Sequence, residues 1–305
     1  MHFIKNIPAL LLFLMVILFG QSCSSTTFGQ HADSLFLVTE NVAINYDLKR
    51  PDKRYQMPYV LEEISGLTFK YPNSILAVDD ESGRVFQYDL STQKLIHSIA
   101  FSKPGDYEGV ELIKDQLYVL ESDGDIFQID FRSKKKMGAI KYENDLSSNN
   151  DTEGLGYDPV TNQLLIACKE DGQIGKNAVS GRAFYKVDVG DLKLIKKPAF
   201  VIGPKELEAF WEKNRSFDYD KKRIKFKPSA IATHPISGHY YILSSVGKML
   251  IVVRKSGKIL ATYPISPRIL GQPEGICFSP SGDMYISSEG EGDRGYILKF
   301  EIKKS

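Results

Sequence analysis

The chain repeats itself, and the repeat limits what it can fold into. A Glu-Gly pair opens a short apolar run at "DYEGVEL" (106–112), "DTEGLGYD" (151–158) and "QPEGICFS" (272–279). The same frame returns with Ser in place of Glu at "EISGLTF" (63–69) and "KPSAIAT" (227–233). Ser65, Glu108 and Glu153 are spaced by 43 and 45 residues, and Ser229 and Glu274 by 45. The interval between Glu153 and Ser229 is 76, one period plus an insertion. Within each unit a first apolar strand leads to a turn such as "YPNS", "DPVTNQ" or "SPSGD". A second strand ends on acidic or Ser residues, and after a Gly-containing loop a third closes on Asp, as in "VFQYD", "IFQID" and "FYKVD". A looser fourth strand completes the unit, as in "KLIHSIAF". Short β-rich runs joined by turn residues indicate antiparallel sheet. Four of them in a period of 40–45 residues indicate a propeller blade.

The expected fold is therefore all-β, a five-bladed β-propeller of four-stranded antiparallel blades. The last unit (272–302) contains only three strands. An N-terminal strand, from "SLFLVTENVAINYDL" or "YQMPYVLE", would supply its fourth and close the ring, which removes exposed sheet edges. The long interval leaves room for a sixth blade. However, "PKELEAFWEKNRSF" (204–217) reads as an inserted helix, because Leu207, Phe210 and Trp211 fall at i, i+3 and i+4. Trp211 is expected to pack in a core.

Propeller geometry sorts the polar residues. First strands line the central channel, and the loops entering them share a face with the loops between second and third strands. Glu108, Glu153 and Glu274, with Ser65 and Ser229 at equivalent positions, are expected to ring the channel mouth. Asp80, Glu121, Glu170, Ser244 and Glu289 follow second strands on the same face. Carboxylates crowded together repel and call for a cation or for protons. Oxygen ligands without His or Cys suit Ca²⁺ or Mg²⁺ rather than zinc or copper. Glu108, Glu153 and Glu274 are thus candidate metal ligands and the others candidate ligand-binding residues. The alternative is that each Glu ties its blade to the next through backbone amides, with the Gly present for close strand approach. His234 and His239 fall in a turn on the opposite face, and His97 in an outer strand. No base–nucleophile pair stands beside the acidic ring.

Composition narrows the partners. The formal net charge is +1, with 25% charged and 42% hydrophobic residues, which argues against a nucleic-acid surface. The basic run at 220–227 reads as a solvated loop. Lys5 precedes an apolar run from Ile7 to Phe19, too short to span a membrane comfortably and suited to a signal peptide over 1–22. The small residues before Cys23 resemble a bacterial lipoprotein processing site. This implies lipidation of Cys23, a tether over 23–34, and a membrane-anchored propeller (35–305) in the cell envelope. An ordinary cleaved signal peptide is the other reading. Cys168 and Cys277 sit in apolar runs and are expected as buried free thiols. A monomer is expected.

The motifs "EISGL", "DYEGVEL", "NDTEGLGYD", "KPSAIATHP" and "QPEGICFSPSGDMYISSEG" resemble the SdiA-regulated, YjiK-like family of exported bacterial propellers, over about Leu61 to Phe300. That likeness implies a cell-envelope protein and carries no assigned activity. The phrases are similar, more distantly, to calcium-dependent lactonase propellers, in which an acidic residue entering an inner strand ligates Ca²⁺. Glu108, Glu153 and Glu274 match such positions, but the His and Asn of the lactonases have no counterpart here. The function implied is binding of a small molecule or envelope protein at the acidic mouth through Ca²⁺. The alternative is a Ca²⁺-dependent hydrolase of a lactone, ester or phosphoester.

Overall fold

The computed structural model describes residues 45–131, 138–176, 178–214, 225–290 and 292–303. The signal peptide, the tether and Cys23 lie outside the described residues, as does most of the basic run. Twenty strands form five four-stranded antiparallel sheets. The chain enters through β1 (Lys53–Gln56). Blade one is β2 (Ile64–Lys70), β3 (Ser74–Asp79), β4 (Arg84–Asp89) and β5 (Lys94–Ala100). Blade two is β6 (Tyr107–Ile113), β7 (Gln116–Glu121), β8 (Ile126–Asp130) and β9 (Ile140–Tyr142). Blade three is β10 (Thr152–Asp158), β11 (Gln163–Cys168), β12 (Arg182–Asp188) and β13 (Leu194–Ile202). After α1 (Pro204–Asn214), blade four is β14 (Pro228–Thr233), β15 (Tyr240–Ser244), β16 (Met249–Val253) and β17 (Ile259–Pro264). Blade five is β18 (Pro273–Phe278), β19 (Met284–Ser288) and β20 (Tyr296–Phe300), closed by β1.

The closing strand falls in the second of the two stretches read from the sequence, starting slightly earlier. It pairs Lys53 with Lys299 and Gln56 with Tyr296. The described residues hold five blades, and the long interval contains α1 rather than a sixth. Leu207 and Trp211 of α1 are buried among Phe184, Phe200, Ile242 and Ile251, between blades three and four. The Trp211 indole N–H donates to Thr262 Oγ1 on β17 at 2.8 Å.

Burial follows blade position. The second strands "SILAVD", "QLYVLE", "QLLIAC", "YYILS" and "MYISS" are nearly unbroken apolar runs because neighbouring blades cover both their faces. The outer strand β5 is largely exposed. The core comprises five clusters, one between each adjacent pair of blades. Between blades one and two, for example, Phe101, Tyr107 and Phe127 meet edge to face at 4.8–5.7 Å, a geometry that adds to simple burial. Cys168 and Cys277 are buried free thiols, and burial pushes the Cys168 pKa up to about 12.

The Gly that follows four of the five ring residues sets the spacing of the inner strands; Ala230 follows Ser229. A Cβ on Gly66 would come within 2.6 Å of Gly109 Cα, and one on Gly275 within 2.6 Å of the Ser65 carbonyl oxygen. Both contacts are with backbone, which cannot swing aside. Glycine at four of the five positions lets the first strands approach one another closely around the axis.

Candidate functional site

Every first strand is irregular at the same place. The register against the second strand slips between Ile64 and Leu67, Tyr107 and Gly109, Thr152 and Gly154, Pro228 and Ala230, and Pro273 and Ile276. The residue inside each slip is Ser65, Glu108, Glu153, Ser229 or Glu274. These are β-bulges, which re-aim a side chain that regular pairing would send into a blade interface. The motif read from the sequence is thus a bulge signature.

Glu108, Glu153 and Glu274, from three blades, line one cavity of about 10 Å³ with Gly66, Gly109 and Gly275. That volume holds about one water or one ion. The Ser65 hydroxyl donates to Glu108, at 2.9 Å from Oε2 and 3.0 Å from its carbonyl oxygen. The Glu153 carboxylate pairs with the Lys169 ammonium, which also lies 3.8 Å from Asp151. Glu274 Oε2 is buried and has no hydrogen-bond partner among the described residues. Ser229 is turned to another task, donating to the Pro273 carbonyl at 2.7 Å. The Ser287 hydroxyl likewise donates to the Ser65 carbonyl at 2.8 Å. Ser hydroxyls therefore make these ties between blades, and the three carboxyl groups converge on the axis.

Proximity and burial raise the acids. Glu108 is pushed well above the usual carboxylate range by burial, then by the charges of Glu153 and Asp106. Glu274 is raised by burial, then by Glu153 and Glu289. Burial lifts Glu153 to about 7 although Lys169 opposes the rise. On Lys169, burial disfavours the charge but Glu153 more than offsets it, so the ammonium is held charged. Three carboxyl groups facing one ammonium leave an excess of negative charge that protons or a cation must balance.

The outer acidic residues divide into separate groups. Asp80 is raised to about 7 by burial, then by Glu63 and Glu289, and its Oδ1 is buried without a partner. Glu121 pairs with Lys141 at 2.8 Å and lies in a cluster with Asp123 and Asp125. Lys141 also reaches Asp125 at 2.8 Å, so that cluster carries its own cation. Glu170 pairs with Lys227 and, at 3.5 Å, with Arg182 beside a groove between blades three and four. The buried Ser244 Oγ accepts the backbone N–H of Lys227 at 3.0 Å and caps a turn. Glu289 is near enough to Glu274 and Asp80 to raise both.

Sequence reasoning missed Lys169. Its only signal was position: "ACKEDG" places a base one residue after β11, next to the bulge that carries Glu153.

The fold and this acidic ring define a five-bladed propeller with a small cavity among three acidic residues of its inner strands. The chain belongs to the SdiA-regulated family, whose model matches residues 44–292. No curated protein matches the sequence. Among solved structures, a glutaminyl cyclase from Myxococcus xanthus is similar at 13% identity and a TM-score of 0.56, covering 84% of this chain and 97% of that one. A gluconolactonase from Xanthomonas campestris is similar at 9% identity and a TM-score of 0.50, covering 78% and 72%. At such identities the likeness is one of fold.

Proposed function

We propose that this is a membrane-tethered propeller of the cell envelope that holds one Ca²⁺ between Glu108, Glu153 and Glu274 and binds a ligand on its acidic face through that ion. The observation that carries the reading is the shared cavity: the buried Glu153 and Glu274 and the half-buried Glu108 line a space for one ion, and one Glu274 carboxylate oxygen has no hydrogen-bond partner among the described residues. The donor set fits the group, since it is all oxygen and anionic and offers neither imidazole nor thiolate, as hard cations prefer. Lys169 offsets one carboxylate and leaves two for the ion. When bound, Ca²⁺ would supply an electrophilic centre facing the mouth. The chain's own residues, Glu108, Glu153 and Glu274, would fix its place. A cavity of about 10 Å³ has no room for an organic substrate beside the carboxyl groups, which supports binding at the mouth over hydrolysis within the ring.

Calorimetric titration of chelator-treated protein with Ca²⁺ is expected to give one site per chain, and Glu274→Gln to weaken it about tenfold or more by removing an anionic ligand. Neither heat nor thermal stabilisation of the wild type on adding Ca²⁺ would sink the cation reading. The tether rests on Cys23. Palmitate labelling in a bacterial host is expected for the full-length chain and lost in Cys23→Ala; equal labelling of the two would remove the anchor.

A further inference from the structure

The channel has a second mouth. Where the turns between first and second strands converge, a cavity of about 420 Å³ opens on the axis, lined by residues of all five blades. Its walls include Phe69, Tyr157 and Phe278, and Val160 stands at its edge, 80% exposed. This size suits a small organic molecule. Glu108 and Glu111 both belong to β6, so at about 3.3 Å per residue Glu111 lies about 10 Å further along the channel than the acidic ring.

The charge balance of this cavity is unusual. Lys255 lines it, but its ammonium is 2.6 Å from Asp158 Oδ1 and is already paired. His234 lines it as well, and burial lowers its pKa to about 4, so it is neutral. Its Nε2 lies 2.8 Å from the Tyr46 hydroxyl, and its Nδ1 accepts the Ser237 N–H at 3.1 Å. The Tyr157 hydroxyl donates to Asn162. Glu111 is the remaining carboxyl group. It accepts the Thr68 hydroxyl at 3.1 Å and the backbone N–H groups of Leu112 and Tyr157, and has no basic side-chain partner among the described residues. An acid beside aromatic walls, with no basic side chain paired to it among the described residues, is positioned to receive a cation.

We propose that this axial cavity binds a small organic ammonium ion, its cation on the Glu111 carboxylate and its aromatic or aliphatic body against Phe69, Tyr157 and Phe278. Aromatic faces around a carboxylate favour a cation over an anion or a neutral polar group. Burial raises Glu111 to about 8 in the empty cavity, so an arriving ammonium also stabilises the ionised form. The site is separate from the acidic ring and does not depend on Ca²⁺.

The test is calorimetry at pH 8 with 3-phenylpropylammonium and its uncharged counterpart 3-phenylpropanol. The expected result is saturable one-to-one binding of the amine, about tenfold or more tighter than the alcohol, because a charge-assisted hydrogen bond is lost with the ammonium. Glu111→Gln should bring the amine to the level of the alcohol, and Glu274→Gln should leave it unchanged. No saturable binding, equal affinity for amine and alcohol, an undiminished amine in Glu111→Gln, or its loss in Glu274→Gln would each overturn the proposal. Should Glu111→Gln fail to fold, Val160→Lys decides: a lysine at that exposed edge is expected to weaken the amine and spare the alcohol, and an unaltered amine counts against the site.

Discussion

Asp158→Ala is expected to lower the unfolding free energy by about 3–5 kcal/mol, the usual loss when one partner of a buried ion pair is removed. Asp158 ends β10 and is fully buried. Its Oδ1 is 2.6 Å from Lys255 Nζ, and its Oδ2 accepts the Tyr240 hydroxyl at 2.7 Å. It also accepts the Val160 N–H at 3.0 Å, and Lys186 lies at 3.8 Å. One carboxylate thereby joins blade three to blade four, and its loss leaves a charge and a buried hydroxyl unpaired. Burial alone would raise this acid. The hydrogen bonds from Lys255, Tyr240 and Val160 outweigh burial and hold it at about 2. Its stabilisation is therefore complete above the unfolded value near pH 4 and fades as pH falls through about 2. Equilibrium urea unfolding at pH 7 checks the effect. A loss below about 1 kcal/mol would show that the junction contributes no more than an exposed pair.

Calcium affinity is expected to rise about tenfold or more between pH 6 and pH 8, with protons released on binding. The metal competes with protons for three acids raised by burial and by one another, with Glu153 at about 7. Without metal, the same shifts act on stability. A carboxyl group whose folded value lies above its unfolded value favours folding while protonated, so that contribution is lost as pH rises. The chelator-treated protein should melt at a lower temperature at pH 8 than at pH 5, and Ca²⁺ should restore most of the difference at pH 8. Calorimetry in buffers of different ionisation enthalpy counts the protons. An affinity independent of pH would place the ion away from the ring.

The blades were legible because each repeats the same strand lengths and turn chemistry, so "DYEGVEL" and "QPEGICFS" could be overlaid without coordinates. The meeting of Glu108, Glu153 and Glu274 followed from that register. The motif was visible but its meaning was not: only the strand register shows that each copy marks a bulge. Nor was the partition of the rim: Glu121 ends β7 and Glu170 lies two residues past β11, and each is tied up by a local base, Lys141 or Lys227, brought in from another strand or loop. Glu111 was hidden for a different reason. In "YEGVELI" it reads as an ordinary polar residue in a half-buried strand, and only closure of the ring turns it onto the axis. Two stretches competed for the closing strand, and the pairing of Lys53 with Lys299 decides between them.

That pairing joins positions at opposite ends of the chain. A ribosome that has released four blades has produced an open arc, because the last sheet needs β20 and β1 together. Assembly of the circle must wait for Tyr296–Phe300 to emerge, so the ring stays unlocked until β20 is available to pair with β1.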